Sequence, residues 1–156
     1  MFTKTQIKDY TQLNQMLKSL IEDESDRIAN LSNAASLLNV FLEDINWVGF
    51  YLYDEAADEL VLGPFQGLPA CVRIGNGKGV CGLALRGNDI FIVDDVTQFP
   101  GHIACDSASR SEIVVPIYID ERPIGVLDVD SPSFDRFKEE DRAGLSNFVE
   151  VLKQYI

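Results

Sequence analysis

Glu112–Asp130 reads EIVVPIYIDERPIGVLDVD, and this stretch decides the fold. Its two halves, EIVVPIYID and RPIGVLDVD, are rich in β-branched and apolar residues, and Asp120, Glu121 and Arg122 between them supply a polar turn. Two such runs joined so tightly predict an antiparallel hairpin. Upstream, NWVGFYLYD, ELVLGPFQG, CVRI and DIFIVDDV are short runs of the same kind, and they predict further strands from about Asn46 to Val96. Before Ile45 the period changes. Leu13, Leu17, Leu20 and Ile21, then Ile28, Leu31, Ala35, Leu38 and Leu42, fall at helical spacing and predict two helices broken near Glu22 to Ser25. A last helix is expected from about Lys138 to the end, with Glu139, Glu140 and Asp141 in its first turn and Leu145, Phe148, Val149 and Leu152 on one face. Helices, a run of strands and a closing helix make an α+β plan with a largely antiparallel central sheet, not an alternating βαβ plan.

Composition narrows the function. A chain of 156 residues, 46% apolar, suits one domain over 1–156. No run approaches the roughly 20 apolar residues of a membrane span, and MFTKTQIKDYTQLN lacks the apolar centre of a secretion signal, so a cytoplasmic protein is expected. With 25 acidic against 13 basic side chains the net charge is -12, which disfavours nucleic acid and anionic membrane as partners. Cys71, Cys81 and Cys105 are an odd number without an export signal, which argues against a permanent disulfide framework.

Two connections carry the polar and reactive residues: GNGKGVCG (75–82) and TQFPGHIACDSASRS (97–111). Gly77–Gly82 matches GxGxxG without the βαβ unit that pattern needs, and Lys78 is followed by Gly79 where a phosphate loop has a hydroxyl residue; a tight approach into a short helix is the plainer reading. The three cysteines and His102 could supply four zinc ligands, and His102 and Cys105 lie within one turn. Cys71 and Cys81, however, are ten positions apart, too far for a structural zinc knuckle.

Cys105 sits among polar residues beside His102, a setting for a reactive thiolate. Cys81, in an apolar helix start, reads as a small core residue, although a helix N-terminus also favours its thiolate; Cys71 at a strand start is open to either role. Strand alternation places Asp128 and Asp130 on one face of the sheet, either as solvated charges or, beside Glu112 in a pocket, as carboxyls that raise each other's proton affinity. The same alternation puts Trp47 and Tyr51 on one face and Phe50 on the other, as core or as an aromatic wall.

INWVGFYL, LVLGPFQG, PACVRI, GKGVCG, FPGHIACDSASRSEIVVP and IGVLDVDSP together resemble the free methionine-(R)-sulfoxide reductases, in order from about Ile45 to Pro132. The resemblance implies a GAF fold, with Cys105 as nucleophile, Cys71 as resolving cysteine and Cys81 as an additional redox candidate. It also implies Glu112 and Asp130 as catalytic carboxyls and Asp128, Trp47 and Tyr51 as substrate contacts. It further implies a sulfenic acid, an intramolecular redox-active disulfide, thioredoxin as reductant and free methionine-(R)-sulfoxide as substrate, with no metal or organic cofactor; a homodimer is left open. Two segments depart from the family pattern: Gly75-Asn76, where a proline and a bulky aromatic residue are expected, and Leu83–Arg86, where smaller residues are usual. The rival reading of the same resemblance is a noncatalytic GAF module that binds a small ligand or senses redox state.

Overall fold

The computed structural model describes residues 7–103 and 105–156. Two helices come first, α1 (Tyr10–Ile21) and α2 (Arg27–Phe41), then β1 (Trp47–Asp54), β2 (Glu59–Gly67), β3 (Arg73–Gly75), α3 (Gly79–Gly87), β4 (Phe91–Val93), β5 (Ser111–Ile119), β6 (Arg122–Ser131) and α4 (Glu139–Leu152). The helix starts are set by acidic caps. The side chain of Asp9 accepts from Gln12 N and that of Asp26 from Ala29 N, while Asp141 in the first turn of α4 accepts from Lys138 N, each at 2.8 Å. The six strands form one antiparallel sheet in the order β3-β2-β1-β6-β5-β4, so the α+β plan with a largely antiparallel sheet and flanking helices holds.

The hairpin that opens the reading is β5–β6. Its turn residues Asp120 and Glu121 have φ of 51° and 65°, and Ile119 pairs with Arg122. Two successive left-handed residues give a turn whose twist matches that of the strands.

Each face of the sheet has its own core. Val48, Phe50, Ile113, Val115, Ile117, Leu127 and Val129 point to the side covered by α1, α2 and α4. Trp47, Tyr51, Leu60, Val114 and Val126 point to the other, where α3 brings Val80, Cys81, Ala84 and Leu85. The expected alternation of Trp47 and Tyr51 against Phe50 is therefore present, and both sets are buried.

Some boundaries differ from the sequence reading. CVRI pairs regularly only from Arg73, because Cys71 is tied elsewhere. DIFIVDDV yields three strand residues before Asp95 caps a 3-10 turn at Val96–Gln98, accepting from Thr97 N. The last helix ends at Leu152 and tightens into a 3-10 turn over Lys153–Tyr155. Ile28, although at core spacing, is 56% exposed near the start of α2.

Candidate active site

Sheet register builds the floor of the site. Trp47 on β1 faces Asp130 on β6, which faces Glu112 on β5. One row along, Asp128 lies between Gly49 and Val114. A three-strand row thus sets an indole beside two carboxyls, with a third carboxyl two residues away on the same face. Glu112 and Asp128 are each only 6% exposed, and Asp130 is half-buried.

Burial governs their acidity. Glu112 is pushed well above the usual carboxylate range, first by desolvation and then by the charges of Asp128 and Asp130. Asp130 is pushed well up by desolvation and by Asp128. Asp128 is raised by desolvation too, but hydrogen bonds with Glu112 and Cys81 and the charge of His102 act against the rise. Desolvation therefore works against charge on all three carboxyls, and Asp128 is the member whose surroundings most favour the anion.

The sulfur groups divide into two classes. Cys71, from the loop after β2, and Cys105, from the connection after β4, are joined in a disulfide with Cα atoms 5.5 Å apart. Cys81, three residues into α3, is a free, buried thiol. The helix N-terminus does not win there. Desolvation, followed by the fields of Asp128 and Glu112, drives the Cys81 thiol well up, so it stays protonated. Its Sγ lies 3.9 Å from Glu112 Oε2.

The aromatic residues do more than form a wall. Trp47 Nε1 donates to Leu68 O at 3.1 Å and Tyr51 Oη donates to Cys71 O at 2.9 Å. Both rings thereby hold the loop that carries Cys71 while stacking on each other with centroids 5.8 Å apart. Opposite, His102 Nε2 stands 3.9 Å from Glu112 Oε1. That is too long for a hydrogen bond; burial lowers the His102 pKa, and the charge of Asp128 acts against that fall.

These residues, with Pro69, Ala70 and Ser109, enclose one pocket with about 40 Å³ of free space, room for a few waters. Of the residues singled out from the sequence, Trp47, Tyr51, Cys81, Cys105, Glu112, Asp128 and Asp130 line it, whereas Cys71 does not line it and is joined to it through the disulfide with Cys105.

Three further residues were not legible as site residues. Asn46 Nδ2 donates to Asp106 Oδ2 and Ser109 Oγ, at 3.0 and 3.1 Å, and so pins the chain just after Cys105. Ser109 is buried beside Asp130. Phe65 stacks on Trp47 with centroids 5.2 Å apart. Phe65 had a signal: a Cβ on Gly49 would come within 2.3 Å of the Phe65 Cβ, and a glycine inside a strand marks such an approach. The two segments that depart from the family pattern meet each other, since Arg86 Nη2 donates to Asn76 O at 3.0 Å. Asn76 Nδ2 in turn donates to Asp58 Oδ1, so the 75–79 loop is held by the very residues that distinguish it.

A disulfide over a closed acidic and aromatic pocket, on an antiparallel sheet backed by helices, defines a thiol-containing small-molecule site on a fold that the GAF-domain family model matches over residues 32–156. The chain belongs to the GAF-domain family and, within it, to the free methionine-R-sulfoxide reductases. It is 49% identical over 147 residues to the free methionine-R-sulfoxide reductase of Escherichia coli, covering 94% of this chain and 88% of that one. Among solved structures it is similar to the Neisseria meningitidis free methionine-R-sulfoxide reductase in complex with its substrate, with TM-score 0.93, 44% identity and coverage of 99% and 94%. It is also similar to the reduced form of the Staphylococcus aureus fRMsr, with TM-score 0.90, 52% identity and 99% coverage of each chain.

Proposed function

We propose that this chain, acting as one domain over residues 1–156, reduces free L-methionine-(R)-sulfoxide to methionine in the cytoplasm. The observation that carries the reading is the convergence, in one pocket, of the Cys71–Cys105 disulfide with three carboxyls and the Trp47–Tyr51 wall.

In this reading the Cys105 thiolate attacks the sulfoxide sulfur while Glu112 or Asp130 delivers a proton to the oxygen. Methionine leaves and the oxygen remains on Cys105 as a sulfenic acid. The Cys71 thiol then attacks that sulfur, water departs and the disulfide forms. The dithiol of thioredoxin reduces it by exchange, becoming oxidised itself and restoring both thiols. Asp128 pairs the substrate ammonium, and the Trp47 and Tyr51 rings receive the methyl-bearing end. Cys81 stands aside as a neutral thiol. A methionine sulfoxide residue within a protein lacks the ammonium and would leave Asp128 desolvated without a partner, which favours the free amino acid.

The test is single-turnover methionine release by the reduced protein, followed by thioredoxin-driven cycling. Cys105→Ser should release none, because a hydroxyl is a far weaker nucleophile than a thiolate. Cys71→Ser should release one methionine per chain and then stop. Turnover by Cys105→Ser would sink the assignment; sustained thioredoxin-driven cycling by Cys71→Ser would move the resolving role to Cys81 or to an external thiol.

A further inference from the structure

Spacing along the chain argues against zinc held by the cysteines and His102, and the structure removes two of those ligands by joining Cys71 to Cys105. The fold assembles a different set. Cys81 Sγ from α3, a Glu112 oxygen from β5 and an Asp128 oxygen from β6 all lie within 4.8 Å of one another, and all three residues are buried. We propose that these three side chains form a binding site for a single divalent cation of the zinc class.

One observation independent of the clustering, and one spacing within it, point to a cation. Asp128 Oδ1 is buried with no hydrogen-bond partner, although Asp128 is 6% exposed; an orphaned carboxylate oxygen so deep in the molecule is costly unless something positive meets it. In addition, the Cys81 Sγ to Glu112 Oε2 separation of 3.9 Å approaches the edge of a zinc tetrahedron, about 3.5 Å for a Zn–S bond of about 2.3 Å and a Zn–O bond of about 2.0 Å.

The donor set selects the ion. One sulfur and two carboxylates suit zinc or cadmium, whereas magnesium and calcium require oxygen ligands throughout. Binding is coupled to proton release: the dication enters and displaces the proton of the Cys81 thiol and any proton the two carboxyls hold. Because Glu112 and Asp128 are also the groups assigned to the substrate under the proposed function, cation and substrate would exclude each other. That consequence rests on the functional reading; the site itself does not.

The experiment uses the full chain in its disulfide form, where Cys81 is the only thiol, titrated with cadmium alone and no sulfoxide. One equivalent should bind with an ultraviolet sulfur-to-cadmium charge-transfer band, and magnesium should produce neither heat nor band. Cys81→Ser should lose the band. Glu112→Gln, which keeps the shape of a protonated carboxyl and leaves the thiol in place, should keep the fold and weaken cadmium binding by about tenfold or more, a loss on the order of one charge-assisted ligand. The proposal is overturned if the wild type shows no band, if the band survives Cys81→Ser, or if Glu112→Gln binds as tightly as the wild type. Since nothing is turned over, failure here leaves the reductase reading untouched.

Discussion

Asp128 and Glu112 lie two strand positions apart in chemistry as well as in space. Asp128 is raised by desolvation, against which hydrogen bonds and the field of His102 act, whereas for Glu112 desolvation, the charges of Asp128 and Asp130 and the hydrogen bonds with them all act upward. If Asp128 reads the ammonium, Asp128→Asn should raise the Michaelis constant by about tenfold to a hundredfold with a smaller effect on kcat, the range expected for losing one charge-assisted hydrogen bond. Steady-state kinetics across substrate concentration checks this, and an unchanged Michaelis constant would remove Asp128 from the binding role. Glu112 makes a separate prediction about stability. Its folded pKa is raised, so the native state holds a proton that the unfolded chain has already lost. Stability is therefore greatest below the ordinary carboxyl range near 4.5 and falls as pH rises through the folded value. Glu112→Gln should flatten that decline, as followed by denaturant unfolding across pH; an equally steep decline would assign it to other groups. If Glu112 also donates the proton, the same variant should lower kcat by about 10²- to 10⁴-fold.

At the scale of elements, α3 is the part whose placement matters most, because it carries Cys81 over the carboxyls and supports the 75–79 loop. Its seating depends on Gly82, where a Cβ would lie 2.5 Å from Gly75 O and 3.0 Å from Gly77 N. Gly77 N also donates to Gly82 O at 2.9 Å. Gly82→Ala should therefore destabilise the protein by about 1–3 kcal/mol despite the better helix propensity of alanine. A thermal midpoint equal to or above that of the wild type would show that the loop yields freely. Element by element, the β5–β6 hairpin was legible because two alternating runs met at a polar turn. Parity alone put Trp47 with Tyr51 and Asp128 with Asp130. What could not be read were contacts made only by tertiary packing: Cys81 against Glu112, 31 residues apart, Asn46 against Ser109, and Arg86 against Asn76. Cys81 reads as a small core residue, with its helix start as the argument for a thiolate, and burial decides for the former, since desolvation in an acidic pocket outweighs a helix terminus.

For the whole molecule, the sheet divides the labour. One face, packed by α1, α2 and α4, is an apolar core without a reactive group; the other carries the sulfur, carboxyl and aromatic groups under α3 and two long loops. The same division lets a chain with a net charge of -12 concentrate three of its carboxyls at one site. Among the described residues no helix is long and apolar enough to cross a membrane. The central claim is that this pocket reduces the free amino acid and recognises it by its ammonium. The most direct measurement is NADPH consumption in a coupled assay with thioredoxin and its reductase, run separately with free L-methionine-(R)-sulfoxide, its S epimer and the N-acetylated R form. The account predicts turnover of the free R epimer, little or none of the S epimer, and a kcat/KM for the N-acetylated form lower by about tenfold or more, the loss of one charge-assisted contact. Equal rates on the free and N-acetylated R epimers would contradict it.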